Sequence, residues 1–277
     1  MAVAVLNEGE PDRKAAAALS AADAWRDGAL ATDLKRPKTP PNRPARPDRP
    51  VLTAPSAAPR RRLGSQAGRR ALLHAIAHIE FNAIDLAFYM AARFAPAIAA
   101  TGLDAEAFIG DWFMIGAEEA RHFGLIRRRV QALGTDYGDL PAHDGLWAAA
   151  TDTNDEVLAR LAIAPMVLEA RGLDVTPGMI ERLEAAGDEE SATALKVIYS
   201  EEIGHVRTGA RWFGAVCAAR GLAVQPTFHR LVETRFKGAL KAPFNHDARA
   251  AAGLARSLYA PSRSSQARNL LPWVNEM

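Results

Sequence analysis

Four stretches of this chain repeat apolar residues at helical spacing, and each sets a glutamate inside the stripe where a core residue belongs. In the first, Leu73, Ile76, Ala77, Ala83, Ile84 and Ala87 surround Glu80. In the second, Trp112, Ile115, Phe123 and Ile126 surround Glu119 and His122. The third places Glu169 among Ala162, Met166 and Leu173, and the fourth places Glu202 and His205 among Leu195, Ile198, Tyr199 and Val206. Residues three or four apart share one face of a helix. Each helix therefore turns one carboxylate inward, and two of them add an imidazole one turn away. Carboxylates in an apolar interior are costly unless cations accompany them, which constrains both the fold and its contents.

The periodicity predicts long helices over 66–95, 104–133, 144–172 and 188–220, each roughly 40 Å or more at 1.5 Å per residue. Ser65 is a plausible N-cap for the first. The breaks are Thr101-Gly102, the turn Gly134-Thr135-Asp136-Tyr137-Gly138, and a longer crossover from Arg171 to Asp188 with a short helix after Thr176-Pro177. Alternating Val, Ile and Thr runs are nearly absent, so the expected class is all-α, a four-helix bundle over 65–222. A helical extension (1–34, with a helix over 11–30) precedes it. Helices near 226–240 and 246–259 and a polar tail occupy 223–277.

Between Lys35 and Arg62, eight prolines interleave with nine Lys or Arg against the single acid Asp48. Proline at that density favours an extended arm, here 35–64. No aromatic side chain lies between Trp25 and Phe81 on which a base could stack. An arm that wraps its own bundle or a partner subunit is therefore favoured over a grip on RNA. The net charge of +2 creates no global field for nucleic acid or anionic membrane. Cys217 stands alone, which excludes an intramolecular disulfide or thiolate cluster. With no signal-peptide pattern and no run of 18 apolar residues, a soluble, cytoplasmic protein is expected.

Two divalent metals would balance four carboxylates and two neutral imidazoles, and oxygen with imidazole ligands suits iron or manganese. Glu-x-x-His puts both side chains on one face of a helix, one turn apart, so that one metal can take both. With 16 Glu and 7 His, roughly 0.4 such pairs arise by chance in a chain of this length, so a single copy would carry little. Two copies alternating with two more inward glutamates match the pattern of di-metal carboxylate bundles. The alternative is that these residues lie on solvated faces, which the flanking Ile, Ala, Phe and Val oppose.

Glu118-Glu119-Ala120-Arg121-His122 resembles the Asp/Glu-Glu-x-Arg-His motif of di-iron monooxygenases and other ferritin-like proteins, and Glu201-Glu202-Ile203-Gly204-His205 is similar to its partner repeat. With His78-Ile79-Glu80, the Ala170–Asp174 stretch and Arg61-Arg62-Leu63-Gly64-Ser65, the chain resembles, over roughly 40–255, the bacterial ferritin-like family called domain of unknown function 455. A more distant likeness is to the ferritin-like tRNA-modifying hydroxylase, which lacks the Pro/Arg arm. The resemblance implies a ferritin-like fold. Its second motif departs from the monooxygenase pattern, with Gly204 where Arg would stand.

On this reading Glu80, Glu119, His122, Glu169, Glu202 and His205 bind two transition metals, iron foremost, with Mn or mixed Mn/Fe as alternatives. The resemblance further implies that Glu118 orients His205 and Glu201 orients His122; the other possibility is that both acids face solvent. Tyr199, one turn before Glu202, is either a redox-active phenol or a packed ring. His74 and His78 lie about 120 to 200° around the helix from Glu80 and read as a surface or core pair rather than a zinc site. Trp112 reads as core. Pro165 either bends the third helix or opens a substrate path. The expected activity is O₂-dependent oxidation of a small molecule with a separate electron donor, in a possible homo-oligomer. The rivals are metal sequestration without a substrate and RNA modification.

Overall fold

Every regular element among the described residues is a helix, as the lack of alternating β-branched runs predicts. The structure is a computed structural model that describes residues 1–34, 36–53 and 63–260. Two helices at the N-terminal end, α1 (Ala2–Leu6) and α2 (Pro11–Arg26), precede the extended arm. Then come α3 (Gln66–Ala99), α4 (Ala105–Ala132), α5 (Gly145–Thr151), α6 (Val157–Ile163), α7 (Ala170–Ala185) and α8 (Glu189–Ala219). Short helices α9 (Val224–Arg235), α10 (His246–Ala251) and α11 (Arg256–Tyr259) follow. A π-helical segment, Ala164–Glu169, joins α6 to α7 into one rod.

Ser65 Oγ accepts the Gly68 N–H at 3.1 Å and opens α3, and Asp104 and Asp188 cap α4 and α8 in the same way. α3 packs along α4, the α6–α7 rod packs along α8, and α4 meets α8. Almost all of α3 is covered. It is long and apolar enough to cross a membrane, but 89% of its most apolar window is buried against protein, so its composition is that of a core rod.

The third predicted helix, 144–172, is not one helix. It breaks after Thr151, and the reason is a buried cation: Arg160 Nε donates to Thr153 Oγ1 at 2.9 Å and its Nη2 donates to the Ala150 carbonyl, clamping the polar turn between α5 and α6. The predicted crossover over 171–188 is likewise corrected, because helix continues through Pro177 to Ala185. Proline there leaves the Leu173 carbonyl without its i+4 donor, and Asn245 Nδ2 supplies the missing hydrogen bond at 3.2 Å. The long non-helical connection lies instead between α4 and α5, over 133–144. Smaller differences are that α2 stops at Arg26, that the helix predicted over 226–240 ends at Arg235, and that Gly253, with φ at +75°, divides the one predicted over 246–259.

The described part of the arm lies on its own chain. Ala45 N–H bonds the Leu6 carbonyl at 2.8 Å, Arg43 pairs with Asp144 at 2.6 Å, and Thr53 N–H bonds the Ala142 carbonyl at 2.8 Å. Arg46 reaches Asp85 and Asn82 on α3. Asp85, fully buried, also takes the buried Lys14 of α2, so the arm and α2 are tied to the same side chain in the core. Residue 35, residues 54–62 of the arm and the predicted tail from 261 lie outside the described residues.

Candidate metal centre

The carboxylates and imidazoles of the four apolar stripes converge. Glu80 comes from α3, Glu119 and His122 from α4, Glu169 from the end of the π segment, and Glu202 and His205 from α8. Helical spacing delivers the i,i+3 pairs without further help. Glu169 depends on a local irregularity. Pro165 cannot donate to the carbonyl four residues back, so the backbone widens to the π form, and its ring rests where Gly209 of α8 has no side chain.

His122 Nδ1 lies 3.5 Å from Glu80 Oε2 and 3.5 Å from Glu119 Oε2. His205 Nδ1 lies 3.0 Å from Glu119 Oε1 and 3.6 Å from Glu202 Oε1. Glu119 thus stands between the two imidazoles, whose ring centres are 5.7 Å apart. One ligand atom from each of Glu80, Glu119, His122 and Glu202 falls within 4.8 Å of all the others. Glu80, Glu119, His122 and His205 are buried, and Glu202 is mostly covered. Glu169 leaves part of its residue exposed, but its Oε2 is sealed.

Both imidazoles turn their other nitrogen outward. His122 Nε2 bonds Glu201 Oε2 at 2.7 Å and His205 Nε2 bonds Glu118 Oε2 at 2.8 Å, so each doublet's first acid holds the histidine of the opposite helix. Arg121 Nη2 lies 3.5 Å from Glu118 and 3.7 Å from Glu201, a link between the two outer acids that sequence spacing did not reveal. With Nε2 engaged outward, each Nδ1 faces the carboxylates.

Six buried potential ligand atoms make no well-directed hydrogen bond, the 3.0 Å approach of His205 Nδ1 to Glu119 Oε1 included: both oxygens of Glu119, Oε2 of Glu169 and of Glu202, and Nδ1 of His122 and of His205. A folded protein rarely leaves so many buried polar atoms unanswered in one place. The electrostatics say the same. Burial pushes the Glu80 carboxyl up to about 8 and drives Glu169 well above the usual carboxylate range, with neighbouring acids adding to both. Burial opposes a charge on His122, but Glu119 and Glu80 outweigh it and push the imidazole up to about 11. His205 rises for the same reason, and the two imidazoles hold Glu119 low against its burial. Protons here do what cations would otherwise do.

Tyr199 does not spend its hydroxyl on this cluster; Asn245 Nδ2 donates to it at 2.9 Å. His74 and His78 are buried outside the cluster and both stack on Tyr137. His74 Nε2 accepts the Gly138 N–H at 2.9 Å, and His78 Nδ1 lies 3.0 Å from the Tyr137 hydroxyl, so the pair fastens the turn after α4. Trp112 is buried in the core. Sequence reasoning missed the pair of Arg249 and Asp174, two buried partners at 2.7 Å that hold the C-terminal helices beside Glu169. No helical period marks such a contact, because its members lie 75 positions apart.

The profile of a family described as protein of unknown function (DUF455) matches residues 7–260. The chain belongs to the DUF455 family. The match reaches farther toward the N-terminus than the motifs suggest, and Lys14 gives the physical reason, since α2 contributes a buried partner to the core of α3. An uncharacterized protein of Haemophilus influenzae is 40% identical over 207 residues, which is 75% of this chain and 72% of its own length. No solved structure matches.

Proposed function

We propose that this DUF455 protein is a ferritin-like four-helix bundle, formed by 65–222, that binds two transition-metal ions and is a cytoplasmic oxidoreductase acting with O₂ on a small organic substrate. Iron is the first candidate, with manganese or a mixed pair next. The observation that carries the reading is the set of six buried ligand atoms without a well-directed hydrogen bond that meet in an apolar interior. Four carboxylates balance two divalent ions, and the mixed oxygen and imidazole donor set fits iron or manganese better than a thiolate-seeking metal.

Bound iron would supply the redox chemistry and the reaction with O₂. The chain's own residues set its conditions. Glu80, Glu119, His122, Glu169, Glu202 and His205 would hold the ions, and the location of Glu119 between the two imidazoles supports a role for it toward both. By accepting from the outward Nε2 atoms, Glu201 and Glu118 would keep a proton there and leave the Nδ1 lone pairs, made more basic, free for a metal. The apolar neighbours exclude water. Tyr199, engaged by Asn245, is given no step.

The rival is a metal-sequestering protein with no organic substrate. An RNA-modifying role is less favoured, because Arg43 and Arg46 of the arm are already paired with carboxylates of the chain itself. Metal analysis after anaerobic reconstitution should give about two ions per chain, falling in Glu119→Ala and Glu202→Ala. One ion, or binding unchanged in both variants, overturns the di-metal reading. Exposure of the reduced protein to O₂ with excess Fe²⁺ then separates the two functions. Uptake that stops at two fits an oxidoreductase, and uptake far beyond two fits storage.

A further inference from the structure

An open groove of about 320 Å³ lies between α1, the segment leading into the arm, the C-terminal part of α3 and the first half of α4. Its floor is apolar: Ala91, Ala92 and Ala95 of α3, with Ile109 and Phe113 of α4. The alanines leave room where larger core residues would close it. Ala91 is about 16 Å along α3 from Glu80 at 1.5 Å per residue, so this is a separate site from the carboxylate cluster.

The rim has the opposite character. Arg36 and Lys38 line it, both exposed, and neither side chain has a carboxylate partner among the described residues. Asp33 also lines it, and its Oδ1 accepts the Arg36 backbone N–H at 3.2 Å. The rim's side chains therefore set two cations against one acid, and the Met1 ammonium, whose pKa is lowered by burial and by the charge of Lys38, lines it as well. An apolar floor gains from excluding water, and unpaired cations at the mouth gain from an anion placed between them. The volume falls at the lower end of the range for small-molecule pockets, about 300–1,000 Å³.

We propose that this groove binds a free medium-chain carboxylate, with its alkyl tail on the alanine floor and its headgroup between Arg36 and Lys38. A neutral alcohol would take only the apolar part of this recognition. An alkylammonium would meet like charge at the rim. The site does not depend on the metal-binding reading, since none of its residues touches the carboxylate cluster.

The test is calorimetric titration of the full chain with octanoate, octan-1-ol and octylammonium, paired with tryptophan emission, because Trp25 lies 5.6 Å from Phe113 of the floor. Octanoate should bind once per chain, at least roughly tenfold tighter than either analogue, a difference of about 1.4 kcal/mol. Reversing the rim in the double variant Arg36→Glu, Lys38→Glu should remove most of that preference. Ala92→Phe should fill the floor and abolish binding; if that variant does not fold, the exposed rim variant still decides the matter. Equal affinity for octanoate and octylammonium overturns the proposal. So does binding to anionic lipid vesicles without binding to free octanoate.

Discussion

Two glycines five positions apart in α8 should respond to alanine with opposite signs. At Gly209 an added Cβ would lie 2.4 Å from both Cβ and Cγ of Pro165, where carbon atoms pack at about 3.5–4.0 Å. One rod would have to retreat by about 1 Å, since a proline ring cannot swing away. Overpacking of this kind costs about 1–3 kcal/mol, and the better helix propensity of alanine returns about 0.8–1.0 of it. A 2.4 Å approach to a ring that cannot rotate away belongs in the upper half of that range, so the net loss is about 1–2 kcal/mol, or a fall of about 2–8 °C in Tm for a chain of this size. At Gly214 nothing lies within 4 Å of the added Cβ, so Gly214→Ala should gain up to about 1 kcal/mol and raise Tm. Calorimetry of the metal-free proteins compares the two. Because Pro165 sits in the segment that ends at Glu169, Gly209→Ala should also weaken metal binding while Gly214→Ala leaves it unchanged. A Gly209→Ala protein that melts at or above the parent refutes the close contact of α8 with the π segment.

Metal uptake at pH 7 should release about three to four protons, from His122, His205, Glu169 and most of Glu80, since each is pushed upward in the metal-free protein. Apparent affinity should therefore fall as pH falls, and the proton count should drop as pH rises through about 8, where Glu80 ionises on its own; titration calorimetry in buffers of different ionisation heat measures it, and release of one proton or fewer contradicts the assignment. Glu118→Gln and Glu201→Gln should keep both metals but bind them about 10 to 100-fold more weakly, because each acid acts through an imidazole rather than on a metal; competition with a chelator reads this, and no change at either position removes them from the site. Asp174→Ala should cost about 3–5 kcal/mol by stranding the buried Arg249 guanidinium, measured by urea unfolding, and a loss under about 1 kcal/mol means that the pair does not hold the C-terminal helices.

Helical period and residue chemistry are local properties, and what depends on them is legible in the chain itself. The all-α class, three of the four long rods and the inward side of Glu80, Glu119, His122 and Glu202 follow from spacing alone, because 3.6 residues per turn maps sequence onto a face. The doublets Glu118-Glu119 and Glu201-Glu202 likewise announce an inner and an outer acid. Tertiary structure decided what no period encodes. Helix continues past Pro177 because Asn245, 68 positions away by number, answers the freed Leu173 carbonyl. The third predicted helix breaks because Arg160 is buried against Ala150 and Thr153 rather than left in water. Tyr199 turns to Asn245, and the extended arm closes on Asp85 of its own chain beside Lys14. Each of these outcomes satisfies a buried polar group with a partner distant in sequence, and a hydrogen bond or ion pair formed only on folding leaves no local trace from which it could be read.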